Sequence, residues 1–109
     1  MDTQEMLIFR KYENLRLVLN MAYERASVGK GKERHADDKP FDKQQICELN
    51  RDFGNGYSLG QIIKKAYEVR RLPAEEAVNE LLDIMVYSAA LVIVLKEDNR
   101  RDAKEQRND

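Results

Sequence analysis

Apolar residues Ile8, Tyr12, Leu15, Leu19, Ala22 and Ala26 recur at alternating four- and three-residue steps, which predicts one amphipathic helix over residues 4–27. Charged residues such as Glu5, Arg10, Lys11, Glu13, Arg16, Glu24 and Arg25 fill the other faces. The periodicity then stops. Residues 28–42 hold two glycines, a proline and a dense run of charge with no apolar face, and they predict a basic, glycine-containing loop. At Phe41–Ile46 the order of residues predicts a helix start, with Asp42 as cap, Gln45 returning the bond and Phe41 packing on Ile46. Gly54 ends that helix. The same grammar at Tyr57–Ile62 predicts a cap at Ser58, a partner at Gln61 and a helix running to about Arg71.

Pro73 suits a first helical position, and Glu75 and Glu76 suit the positive end of a helix dipole, so a last helix begins there. Its segment Leu81–Leu95 is almost wholly apolar, interrupted by Asp83, Tyr87 and Ser88, and alone it is too short to span a bilayer. Two stripes can be drawn on it. One holds Ala77, Leu81, Ile84, Ser88, Leu91 and Leu95, the other Val78, Leu82, Met85, Ala89 and Val92. A helix apolar on more than one face is central in its fold or shared with another subunit. Beyond Lys96 the residues are polar, and 96–109 are expected to form a charged tail that frays. The expectation is a single all-α domain over 1–109, a small bundle of about four helices with a helical core over 43–95, a long C-terminal helix, and association as a homo-oligomer.

Composition narrows the chemistry. In 109 residues there are 19 lysines and arginines against 20 aspartates and glutamates, a formal charge of -1, which excludes a general duplex-DNA binder. One cysteine, Cys47, excludes an internal disulfide, and the single histidine, His35, excludes zinc sites of the usual spacing. Cys47, between Ile46 and Leu49, reads as a small buried hydrophobe. The N-terminus lacks the basic-then-apolar layout of a signal peptide, and a cytoplasmic protein is expected.

Two constellations can carry chemistry. Glu76, Glu80 and Asp83, at spacings of four and three, share one helix face. Clustered carboxylates suit a hard cation such as magnesium, and equally they suit pairing with Lys64, Lys65, Arg70 or Arg71 of the preceding helix. In the loop, Gly29-Lys30-Gly31-Lys32-Glu33-Arg34-His35 combines a backbone free to turn its N–H groups toward an anion with the charge and the guanidinium fork that phosphate accepts. It is not a Walker A sequence, which needs a serine or threonine after its glycine and lysine.

Residues 59–95 resemble the core helix pair of the MazG-like all-α nucleoside triphosphate pyrophosphohydrolases, whose pattern is EExxE on one helix and ExxD on the next. Glu80-Leu81-Leu82-Asp83 matches the second motif, whereas Lys64-Lys65-Ala66-Tyr67-Glu68 keeps only the last glutamate of the first. The resemblance implies a magnesium site on Glu68, Glu80 and Asp83, with Glu76 replacing a lost acid. The lysines imply instead a salt-bridged helix pair or a metal-free anion site. Glu33-Arg34-His35 followed by helices is similar to small phage anti-CBASS sponges, which sequester cyclic nucleotide signals without cleaving them, and the overall order of motifs looks like small proteins of tailed phages and prophages.

The leading expectation is a non-catalytic binder of a phosphate-bearing nucleotide, with no cofactor, no membrane and no duplex DNA among its partners. Lys30, Lys32, Arg34 and His35 would hold phosphates, helped by Lys64, Lys65 or Tyr57. A magnesium-dependent pyrophosphohydrolase is the alternative, and a protein-interaction module working through the apolar stretch is a third.

Overall fold

The computed structural model describes residues 2–28 and 38–108, and every described element is helical. The elements are α1 (Thr3–Lys11), α2 (Glu13–Ser27), a 3-10 turn (Phe41–Lys43), α3 (Gln45–Phe53), α4 (Gly56–Val69) and α5 (Ala74–Asn108). The all-α expectation, with its long C-terminal helix, is met.

The first predicted helix is two helices. Asp2 caps α1 by accepting a hydrogen bond from the Glu5 N–H at 2.8 Å. At Tyr12 the backbone leaves helical geometry (φ -107°, ψ 14°). The ladder is kept on both sides, since the Tyr12 N–H reaches the Ile8 carbonyl at 3.1 Å and the Arg16 N–H reaches the Tyr12 carbonyl at 3.0 Å. The bend therefore costs little hydrogen bonding, and with no proline or glycine nearby the residue pattern does not announce it.

Both predicted caps move. Asp42 lies inside the 3-10 turn, and Gln44 is the residue before α3, its side-chain Nε2 donating back to the Lys39 carbonyl at 2.9 Å. At α4 the helix starts two residues before Ser58, and Ser58 is fully buried within it. Asn50 explains this. Its side-chain nitrogen donates to the Ile46 carbonyl (3.0 Å) and to Ser58 Oγ (2.7 Å), and its oxygen accepts from the Ser58 N–H (3.2 Å). Two buried polar groups thus satisfy each other across the tight connection between α3 and α4. Gly54, at φ 83° and ψ -177°, makes that connection in a backbone region open to glycine alone.

The short connection at Leu72–Pro73 makes α4 and α5 antiparallel, and the pairings Lys65 with Asp83 and Tyr57 with Tyr87 run in opposite directions along the two helices. The Pro73 carbonyl takes the first α5 hydrogen bond, from Ala77 N–H at 2.9 Å. The core is small: Ile46 and Cys47 of α3 meet Tyr87, Ala90 and Val94 of α5, flanked by Phe41, Tyr57, Ile62 and Val86. Neither predicted stripe of α5 describes this. Val78, Leu81, Val92 and Leu95 are exposed, whereas Tyr87, a polar interruption in the sequence, is buried. With apolar residues on most of the circumference, the inward face is set by the helices that pack on α5, and these press on it from three elements.

Arg51 ties the base of the core together. It donates to both carboxylate oxygens of Glu97 (2.9 and 2.7 Å) and to the Asp42 carbonyl (2.6 Å), joining α3, α5 and the 3-10 turn. By length and composition α5 also meets the requirement for crossing a membrane. An 18-residue window within Ala74–Gln106 has a mean hydropathy of 1.9, and 28% of that window is buried inside the fold. The apolar segment is part of the expected long helix, which continues through the charged residues to Asn108.

Candidate functional site

Glu80 and Asp83 of the acidic stripe on α5 face their own chain. Asp83 sits between α2 and α4, where Arg25 Nε lies 2.6 Å from Oδ1 and the second guanidinium nitrogen lies 3.4 Å from Oδ2. Lys65 Nζ stands 3.4 Å from Asp83 Oδ2 and 3.5 Å from Glu80 Oε1. Side-chain exposures of 17% for Arg25, 13% for Asp83 and 12% for Lys65 place this cluster mostly out of water. Burial pushes the Asp83 carboxyl up, but the Arg25 hydrogen bond and the charges of Arg25 and Lys65 outweigh it and hold the group below its ordinary range. The same hydrogen bond to Asp83 raises the Arg25 guanidinium.

Lys65 also lies 5.9 Å from the centre of the Tyr87 ring, which in turn meets Tyr57 edge-on at 6.1 Å. Tyr57 is half-buried and flanks the core. Pairing of the carboxylates with Lys65 was one of the two readings open in the sequence. Arg25 was not foreseen.

Lys64, Lys65, Glu68 and Glu80 share a small cleft of about 280 Å³ with Gln61 and Leu72. Glu76 is exposed on the first turns of α5. Among the described residues no group of three or more histidine, cysteine, aspartate or glutamate side chains is disposed to hold a metal ion. The reason is visible in the donor set: the Lys65 ammonium occupies the space between Glu80 and Asp83, and the Arg25 guanidinium covers Asp83 from the other side. These residues do not fit the magnesium site that the MazG-like resemblance implies.

A second feature was not legible in the sequence. A cavity of about 690 Å³ lies between α2, α5 and the 3-10 turn. Leu19, Ala22 and Ala26 form one wall, and Met85, Ala89 and Ile93 form the other, with Phe41 at one end. Its polar lining includes Ser27, Asp38, Lys39 and Gln44. Lys30, Lys32, Arg34 and His35 lie outside the described residues, but the segment that carries them leaves the described chain at Val28 and rejoins it at Asp38, next to and within this polar rim. Lys64 and Lys65 do not line this cavity.

Cys47 is fully buried, and that burial pushes its thiol up to about 11, as suits a packing residue. No family model, curated protein or solved structure matches the chain.

Proposed function

We propose that this protein is a non-catalytic binder of a phosphate-bearing nucleotide or nucleotide signal, held with its apolar part in the α2–α5 cavity and its phosphates on the segment that bears Lys30, Lys32, Arg34 and His35. One observation carries the reading: Asp38, at one end of that basic segment, and Ser27, one residue before its other end, both line a largely apolar cavity of about 690 Å³. Cavities of a few hundred to about 1,000 Å³ with apolar walls and a few polar groups at the edge are what small-molecule sites consist of. Apolar walls suit a base, and lysine and arginine suit its phosphates.

The ion cluster adds support of a different kind. Two of the carboxylates that a MazG-like pyrophosphohydrolase would spend on magnesium, Glu80 and Asp83, are paired with Lys65 and Arg25, which speaks against the alternative. Binding without turnover is what a sponge for a nucleotide signal does, and a phage protein acting in the host cytoplasm is the setting this reading implies.

Equilibrium dialysis with labelled nucleotides tests it. Lys32→Glu combined with Arg34→Glu is expected to weaken binding by more than about tenfold, as for lost charge-assisted hydrogen bonds. Ala89→Phe, which fills the cavity from α5, is expected to weaken it independently. Affinity retained in both variants places the ligand elsewhere and removes the proposal.

A further inference from the structure

We infer that the face formed by α1 and the N-terminal half of α2 is a homodimer interface, on which a second copy of this chain sits with its own α1 antiparallel across a two-fold axis. The inference does not depend on the ligand. It begins with what covers α1. Among the described residues its only substantial packing partner is α2, and none of its residues is buried. Yet Met6, Leu7, Ile8 and Phe9 are four consecutive apolar residues, which at 3.6 residues per turn occupy most of the helix circumference. Apolar residues of this kind are covered in a stable fold, and here Met6, Leu7, Ile8 and Phe9 remain 43–59% exposed. On α2, Leu15 and Val18 continue the surface at 53% and 42% exposure, and only Ala22 of that helix is buried.

The area supports a second copy. The chain exposes 8467 Å². A compact monomer of this length exposes about 6,300 Å², which leaves an excess of about 2,200 Å². A standard interface takes about 800 Å² from each partner, and the excess, which also includes the exposed charged turns after Asp98, leaves room for one.

Charge selects the occupant and its direction. Asp2 and Glu5 stand at the start of α1, and Arg10 and Lys11 at its end. A two-fold axis across the middle of α1 sets the acids of each copy against the bases of the other, a self-complementary arrangement that an isologous dimer requires. Parallel pairing would set like against like.

Sedimentation equilibrium of the full chain at micromolar concentrations tests the interface. The expected result is a two-chain mass. Ile8→Asp with Leu15→Asp should give one-chain mass while α3–α5 still unfold cooperatively, followed by circular dichroism. Glu5→Arg should weaken the dimer by about tenfold, and Glu5→Arg with Arg10→Glu should restore it, since the double exchange rebuilds the antiparallel pattern and a parallel one gains nothing. A one-chain mass for the unaltered protein overturns the inference. So does a dimer indifferent to Ile8→Asp with Leu15→Asp, which places the contact on another face, and a failure of the double exchange to restore association overturns the antiparallel arrangement.

Discussion

Arg25 and Asp83, 58 residues apart in sequence, meet at 2.6 Å in the space between α2 and α5. Through this contact the first half of the chain is fastened to the long C-terminal helix, and through it Asp83 becomes a partner of cations inside its own chain. With Lys65 on the other side, the pair turns an acidic stripe into a neutral, mostly buried cluster. That single arrangement bears on the fold and on the function. It fastens the α2 wall of the cavity to α5, and it pairs Asp83 with cations of its own chain.

Removing one partner of a mostly buried pair leaves the other uncompensated. Asp83→Asn and Arg25→Ala are each expected to cost about 2 kcal/mol or more in urea unfolding, whereas Arg25→Met with Asp83→Leu should recover most of the loss. Single variants as stable as the unaltered chain would show the contact to be energetically idle.

Acid sensitivity follows from the same contact. The Asp83 carboxyl lies lower in the folded chain than in the unfolded one, so its contribution is present above the unfolded value, about 3.9, and drains as pH falls through that value and below. Glu97, held low first by the Arg51 hydrogen bond, acts in the same direction. Thermal midpoints measured from about pH 6 down to about pH 3 should fall, and should fall less steeply in Asp83→Asn. Equal slopes in both proteins would contradict the assignment.

How much of this was visible beforehand differs by element. The helical class and the breaks at Gly54–Gly56 and at Leu72–Pro73 were legible because periodicity, glycine and proline act locally. The bend at Tyr12 was not, since no breaker stands there. The inward face of α5 was not, because a helix apolar on two stripes leaves the choice to its neighbours, and these chose the side of Tyr87 and Ala90. Ser58 has the residue type of a cap and is instead the buried partner of Asn50. Carboxylate pairing on α5 was legible in Lys65, while Arg25 and the cavity required the tertiary arrangement of α2.

The Asn50–Ser58 network should be expensive to break. Ser58→Ala leaves Asn50 Nδ2 with only the Ile46 carbonyl, and Asn50→Ala leaves the Ser58 hydroxyl and N–H without the partners they have now. Each change is expected to cost about 1–3 kcal/mol, with the larger loss for Asn50→Ala. Denaturant midpoints measure it, and a double variant costing no more than the worse single one would mark the two as a unit.

Cys47 provides a probe of opening. Fully buried and with its thiol raised, it should react with an aromatic disulfide reagent only at the rate at which the α3–α5 core opens, and at once when denatured. Rapid labelling of the native protein at neutral pH would show that this core is not closed.

The central claim is that the chain holds a nucleotide and does not cleave it. The direct measurement is to incubate the purified protein with magnesium and a panel of mononucleotides, triphosphates and cyclic oligonucleotides, separate bound from free, denature the protein and identify what it held by mass spectrometry. The account predicts an intact nucleotide recovered in fixed proportion to protein, and its loss in the Lys32→Glu, Arg34→Glu double variant. Accumulation of monophosphate and pyrophosphate, or a protein that holds nothing from the panel, would contradict it.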